Sequence, residues 1–293
     1  MKTRSQRGFS LVELLVAVSI LIWVFAIVFG YIKTGQQRYS NEQVKSDMVQ
    51  ESRQFMDQIS RDLHMVGYPG RRMFGLTPGG VSILPPGSGQ PAGAAGTNWY
   101  DDDRVSAGVV RLSATNLQFE GDIDGNGSVE VVVYTLVPDF PTDAPVSCPC
   151  RLQRGVIPKN SPAAAGALPG ALNHPQPPNF YQEAQGIINS GNTLVIGGST
   201  NTGPASNVAN NIFFAAYRAE PVFRAYDDNG ALIPLPAGGI DITTLDPTGK
   251  PWAFRIRNIR VTLNVLGPTP DLQTKVQPVI TMSTTAKINN RLP

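Results

Sequence analysis

The sequence predicts an α+β fold: one long N-terminal helix, apolar enough in its first half to cross a membrane, packed on an antiparallel β-sheet head with long loops. Three observations predict it. An apolar run near the N-terminus passes without a proline into an amphipathic one. Beyond residue 70 the apolar residues abandon helical spacing for short stretches rich in Val, Ile and Thr. Between those stretches lie long segments of Gly, Pro, Ala and Ser, and the 293-residue chain holds 29 glycines and 25 prolines, a turn-rich composition.

Residues 9–32 form an almost unbroken apolar run in which Glu13 is the only charge. At 1.5 Å per residue a helix of that length spans about 36 Å, against ~30 Å for a hydrocarbon core. Residues 1–8 hold Lys2, Arg4 and Arg7 and no acid; such a flank keeps the N-terminus cytoplasmic and sends the remainder of the chain across the membrane. The run is too long for a cleaved secretory signal, whose apolar core is about 7–15 residues. An uncleaved anchor explains the hydrophobicity and the flank but not Glu13, because a carboxylate in hydrocarbon is costly unless paired. After residue 32, Val44, Met48, Phe55, Ile59, Leu63 and Val66 recur at spacings of three, four or seven, a stripe expected to pack on the chain's own head. Gly30 and Gly35 are weak points where the helix can bend. Gly67-Tyr68-Pro69-Gly70 stops it.

The residues around Glu13, Gly8-Phe9-Ser10-Leu11-Val12-Glu13-Leu14-Leu15, resemble the type IV prepilin signature. The resemblance implies cleavage between Gly8 and Phe9 by prepilin peptidase, N-methylation of Phe9, and an assembly role for Glu13, which would pair with the Phe9 amine of a neighbouring subunit. Arg61-Asp62-Leu63-His64-Met65-Val66-Gly67-Tyr68 resembles the helix ending of PilW-type minor pilins, with His64 and Val66 where Arg and Ala are more usual. Pseudopilins of the PulJ/GspJ type share much of this. The resemblance implies a type IV pilin-like fold, organised as a leader over 1–8, a transmembrane and assembly segment over 9–32, an amphipathic half-helix over 33–67, and a periplasmic β-rich head over 68–293.

In the head, Val109-Val110-Arg111-Leu112, Leu117-Gln118-Phe119-Glu120 and residues 129–137 read as strands. So do residues 193–196, 212–218, 221–226, 254–265 and 276–288. Residues 77–98 and 138–178 read as loops. Asp122-Ile123-Asp124-Gly125-Asn126-Gly127 carries oxygen side chains at alternate positions. If a metal binds there, Asp122, Asp124, Asn126 and Glu130 are the candidate ligands for a hard cation such as Ca²⁺. Val133 stands where an EF-hand would have its bidentate Glu, and a hairpin turn with glycines at positive φ explains the run without a metal. Related minor pilins carry a similar run before a strand ending in Tyr, here Tyr134. Cys148 and Cys150 could form a disulfide on the oxidising exported side; a metal site would lack further soft ligands. Asn289-Asn290-Arg291 partly matches a C-terminal element of PilW-type proteins.

The formal charge of +2, from 24 basic and 22 acidic residues, leaves no excess to neutralise phosphate. No nucleic-acid partner is therefore expected, although Arg255 and Arg257 are read as sharing a strand face that could touch phosphate. His64 and His174 have no obvious catalytic partner, and no nucleophile–base, zinc or phosphate-loop motif occurs, so the chain is not expected to be an enzyme. The resemblance implies a minor pilin of the type IV pilus that takes part in initiating or tipping the filament. Its implied partners are other minor pilins, the major pilin, prepilin peptidase, the inner-membrane assembly platform and the lipid bilayer. A type II secretion minor pseudopilin is the alternative; a DNA-uptake or adhesion factor and a membrane-anchored periplasmic enzyme rank below it.

Overall fold

The computed structural model describes residues 10–70, 73, 105–138, 149–159, 179–189, 195–196, 199–200, 214–236, 238–242, 244–267, 270 and 276–288. The apolar run and the stripe after it form a single helix, α1 (Leu11–His64), 54 residues long and continuous through Gly30 and Gly35. Its exit is built from a turn in which Gly67 takes a φ of 80°, a left-handed geometry that glycine adopts without a Cβ penalty. The stripe packs as its spacing predicts: Met48, Phe55, Ile59, Leu63 and Val66 are buried in the main core, with Val44 at its margin. Each such side chain, once fully buried, contributes about 1.5–3 kcal/mol, so the second half of α1 is held mainly by packing.

The head is an antiparallel sheet. Strands β1 (Val109–Leu112), β2 (Asn116–Gly121), β3 (Glu130–Pro138), β4 (Cys150–Pro158) and β5 (Phe180–Ile187) run side by side in chain order. Two further strands, β6 (Val195–Ile196) and β7 (Ser199–Thr200), form a separate small ribbon. After them come β8 (Phe223–Tyr226), β9 (Leu232–Ile233), β10 (Ile240–Asp241), β11 (Asn258–Leu266) and β12 (Val279–Lys287). The sheet order is β10-β1-β2-β3-β4-β5-β11-β8-β9, and β12 also pairs with β11. All nine residues of β11 pair with β12; its other side is shared by β8, at Asn258–Val261, and by β5, at Val265. Where those two strands leave a gap, the fully buried Asn189 fills it. Its Nδ2 donates to the carbonyls of Glu220 and Thr262, and its Oδ1 accepts from Asn264 N at 2.6 Å.

Strand alternation separates the main core from smaller apolar clusters. Val132, Tyr134 and Leu136 of β3 face α1 and the main core, whereas Val131 and Val133 meet Ile157 and Phe180 on the opposite face. α1 lies against β12, β5 and β11.

Three expectations need correction. The stretch expected to be a loop from 138 to 178 contains β4, whose Arg and Gln residues alternate with buried Cys150 and Leu152; the prolines at both ends hid that alternation. Residues 214–219 are helical rather than extended, their three alanines and lack of β-branching having been outweighed by the aromatics in a strand reading. The strand expected from residue 254 starts at Asn258, because Trp252–Arg255 forms a 3₁₀ turn after Pro251. Residues 77–98, His174 and Asn289-Asn290-Arg291 lie outside the described residues.

The sheet approaches the end of α1 at Gly121, where a Cβ would sit 2.4 Å from the Met65 carbonyl oxygen. Gly121→Ala is therefore expected to destabilise the head by about 1–3 kcal/mol through forced backbone movement. Gly30 has nothing within 4 Å of its Cβ position, so Gly30→Ala should be neutral or stabilise by up to about 1 kcal/mol. Thermal melts of the two variants in detergent check the contrast; equal melting temperatures would contradict it.

Candidate functional site

Ser10 stands in extended backbone ahead of α1, and Glu13 lies in the first helical turn, where the partial positive charge of the helix N-terminus favours a carboxylate. Gly8 and Phe9 lie outside the described residues. From Leu11 to Ile32 the large apolar side chains are all exposed, Trp23 at 73%. This surface far exceeds the few hundred Å² that a soluble monomer leaves open. It is long and apolar enough to cross a membrane. Tyr31, Lys33, Arg38 and Tyr39 follow on exposed positions, the aromatic and basic types that settle at a membrane–water interface.

At the other end of α1 a buried acid interrupts the apolar stripe. Asp62 follows Phe55 by seven residues and Ile59 by three, so it shares their inward face. It is 4% exposed. Its Oδ2 accepts from Tyr134 Oη and from Arg154 Nε, both at 2.7 Å, and its Oδ1 accepts from Gln58 Nε2 at 2.8 Å. Phe55 meets the Tyr134 ring edge-on, with centroids 6.1 Å apart, and Phe119 stacks on it at 6.4 Å. Burial, reinforced by the Asp62 charge, pushes the Tyr134 phenol well above its ordinary range. Burial opposes the Arg154 charge, but the hydrogen bond and charge of Asp62 outweigh it and hold the guanidinium above its ordinary value. Sequence reading did not single out Asp62 or Arg154. The available signal was an acid at a core angle of the helix.

The Asp122 run is the connection of the β2–β3 hairpin, with Gly125 and Gly127 at φ of 75° and 87°. Asp122 organises it, accepting from Gly125 N at 2.8 Å and from Gly127 N at 3.0 Å. Carboxylate oxygens of Asp122, Asp124 and Glu130 all lie within 4.8 Å of one another. Asn126 Nδ2 donates to Asp124, and its Oδ1 accepts from Ser128 N. Asp122 and Glu130 are buried and Asp124 is exposed. Three hard oxygen donors in a loop open on one side suit Ca²⁺ in their chemistry. Burial is the main cause that raises the Glu130 carboxyl above its ordinary 4.5; the bond from Ile123 N opposes it, and the charges of Asp124 and Asp122 add to it. The loop is also tied to the helix exit, since Asp122 N donates to Tyr68 O.

A second buried ion pair lies nearby. Lys159 Nζ donates to Glu120 Oε2 and to Val105 O, both at 2.6 Å, and Glu120 also accepts from Ala107 N. Cys150 is buried and disulfide-bonded; Cys148 lies outside the described residues. Arg255 and Arg257 do not share a strand face. Arg255 sits on the 3₁₀ turn, donates to Asp246 at 2.8 Å, reaches Asp227 at 3.5 Å and stacks over Trp252. The side-chain hydrogen bond from Thr248, with those from Lys250 N and Arg255, holds the Asp246 carboxyl far below its ordinary range. Arg257 donates to the carbonyls of Phe254 and Ile256. Both guanidinium groups are engaged within the head.

Residues 3–29 match the family described as the prokaryotic N-terminal methylation motif. That motif, which is of the prepilin type, supports a type IV pilin or pseudopilin processed by prepilin peptidase, and with the apolar helix it supports membrane anchoring. No curated protein and no solved structure matches the chain.

Asp62→Ala is expected to cost about 3–5 kcal/mol, because it leaves Arg154 without its counter-charge in a largely buried position. Tyr134→Phe removes one bond to an acceptor that keeps two others and should cost about 0.5–1.5 kcal/mol. Urea melts of the detergent-solubilised chain distinguish the two; similar losses would mean that Asp62 does not organise the junction.

Proposed function

We propose that the chain is a minor pilin of the PilW type, which joins other minor pilins in a membrane complex that starts or tips a type IV pilus. The observation that carries this reading is the methylation motif set at the start of a single helix, exposed and apolar over its first half and buried in a head over its second. One helix then serves two states. Lipid covers its apolar half before assembly, and neighbouring helices cover it afterwards. Cleavage between Gly8 and Phe9 creates a cationic amine, and Glu13 of an adjacent subunit is its counter-charge once both leave water. The large, loop-rich head favours a subunit present in few copies over the repeating subunit of a filament. The run before Tyr134 favours the PilW type over a type II secretion pseudopilin, which would share much of the helix ending at Arg61–Tyr68 and the same processing and anchoring.

Replacing Gly8 with a bulky residue should block trimming, so the unprocessed chain accumulates. Glu13→Ala should be trimmed and inserted normally yet fail to enter the filament. Immunoblots of membranes and of sheared filaments check both. Normal maturation of the Gly8 variant would sink the prepilin reading, and normal incorporation of Glu13→Ala would sink the pairing role. Loss of secretion with intact pili in a deletion strain would move the chain to the secretion machine.

The same reading assigns Ca²⁺ to the Asp122 loop, with Asp122, Asp124 and Glu130 as ligands and Asn126 as a further donor. Because folding raises the Glu130 carboxyl, its contribution to stability is full below pH ~4.5, the ordinary value, and is lost as pH rises through the raised one. In chelator, the melting temperature should therefore fall across that window, and Glu130→Gln should flatten the fall. Millimolar Ca²⁺ should restore the loss in the parent chain and not in the variant. An unchanged melt with Ca²⁺ at neutral pH would leave the loop a plain hairpin turn.

A further inference from the structure

The tip of the β2–β3 hairpin carries a signal that neither the fold nor the methylation motif uses. Asn126-Gly127-Ser128 is an Asn-x-Ser triplet without proline at its centre, the form in which an asparagine accepts an N-linked glycan. No other asparagine in the chain opens an Asn-x-Ser or Asn-x-Thr triplet. An acid two residues ahead, Asp124, completes the longer Asp-x-Asn-x-Ser form of the signal. Such triplets are common in sequences, so placement decides. The five residues from Asp124 to Ser128 are all exposed, whereas Gly121 and Asp122 before them and Val129 and Glu130 after them are buried. The signal therefore occupies the part of the hairpin that solvent reaches and stops where the sheet begins. Asn126 Nδ2 donates to Asp124 Oδ2 at 2.8 Å, and a carboxamide nitrogen has a second N–H to give. Asn126 Oδ1 accepts from Ser128 N at 2.7 Å, which sets the carboxamide beside the serine. Ser128 Oγ makes no hydrogen bond among the described residues. Gly125 and Gly127 have nothing within 4 Å of their Cβ positions, so an enzyme can approach Asn126 from both sides.

We propose that Asn126 is N-glycosylated on the exported side of the membrane. The donor class is a polyprenyl-diphosphate-linked oligosaccharide, and the catalyst is a membrane-bound oligosaccharyltransferase. The bond from Nδ2 to the sugar C1 forms as the bond from C1 to the diphosphate oxygen breaks. The polyprenyl diphosphate leaves with that electron pair, and one Nδ2 proton passes to a base of the transferase. Anchoring through α1 keeps the chain on the membrane that holds both donor and enzyme. Modification leaves Oδ1 in place, so it spares the atom that a cation in the same loop would use. The inference rests on the reading of the head as exported and adds a modification which that reading does not contain.

The test is peptide mass spectrometry on the full-length chain purified from the cells that naturally make it. The peptide containing Asn126 should carry a sugar mass. Asn126→Gln and Ser128→Ala should both lose it, and Ser128→Thr, which restores the hydroxyl, should keep it. Ser128→Ala removes only an exposed hydroxyl, so the variant should still fold and reach the membrane in parental amounts. A bare Asn126, or one altered only by deamidation at the Asn-Gly bond, overturns the proposal, as does a sugar that survives Ser128→Ala. Protease added to spheroplasts reports export independently of the sugar. A head that is cut while Asn126 is bare rejects the glycan alone; a head protected from protease rejects the exported reading as well.

Discussion

The position of the head on its helix depends on the carboxylate of Asp62. Phe55, Ile59 and Leu63 supply most of the energy that holds α1 to the sheet, but apolar contacts tolerate small slides and rotations. The bonds that Asp62 accepts from Tyr134 and Arg154 do not. One residue of helical slip rotates the side chain by about 100°, which would strand a buried acid, a phenol and a guanidinium together. A buried ion pair is weak grounds for added stability. Here its effect is to select one register among several that packing would accept. Gly121, pressed against the Met65 carbonyl, and the bond from Asp122 N to Tyr68 O fix the same register a turn further on.

That fixed register matters because the other half of α1 has no partner among the described residues of the head. Its exposed apolar side chains must be covered by lipid or by other apolar helices, and the head can be placed relative to either only through a stiff connection. A helix unbroken from Leu11 to His64 is such a connection, about 80 Å long at 1.5 Å per residue. Gly30 and Gly35 fall at the end of the span and just past it, with open space around both. Neither breaks the helix, yet each lowers the cost of bending there. The chain thus confines its compliance to the boundary between the part that sits in lipid and the part that carries the head.

The features legible in the sequence were those carried by period or by local chemistry. The apolar run, the stripe from Val44 to Val66 and the strands β1, β2, β3 and β11 each repeat a pattern that short windows reveal. The glycines of the Asp122 hairpin announce its positive φ. The junction was not legible, because its meaning lies in contacts far apart in sequence: Asp62 is 72 residues from Tyr134 and 92 from Arg154. Yet the helix ending that includes Asp62 and the run leading to Tyr134 touch in the folded chain, and their shared hydrogen bond joins the end of the helix to the sheet.

β4 shows why a polar strand hides. Its flanking prolines, Gly155 and two arginines argue for a loop when read alone, and only Cys150, Leu152, Val156 and Ile157 argue otherwise. In the folded chain those same polar residues hold the strand in place. Arg154 reaches the helix through Asp62, and Lys159, just past the strand's end, reaches β2 through Glu120 while capping the Val105 carbonyl. Pairing with β3 along its whole length supplies the ladder, but a ladder alone permits slippage by two residues without exchanging faces. Such a shift would move Arg154 and Lys159 each about 7 Å from its partner acid, leaving two buried carboxylates unpaired at once. The charges that disguise β4 as a loop are therefore the groups that specify where it pairs.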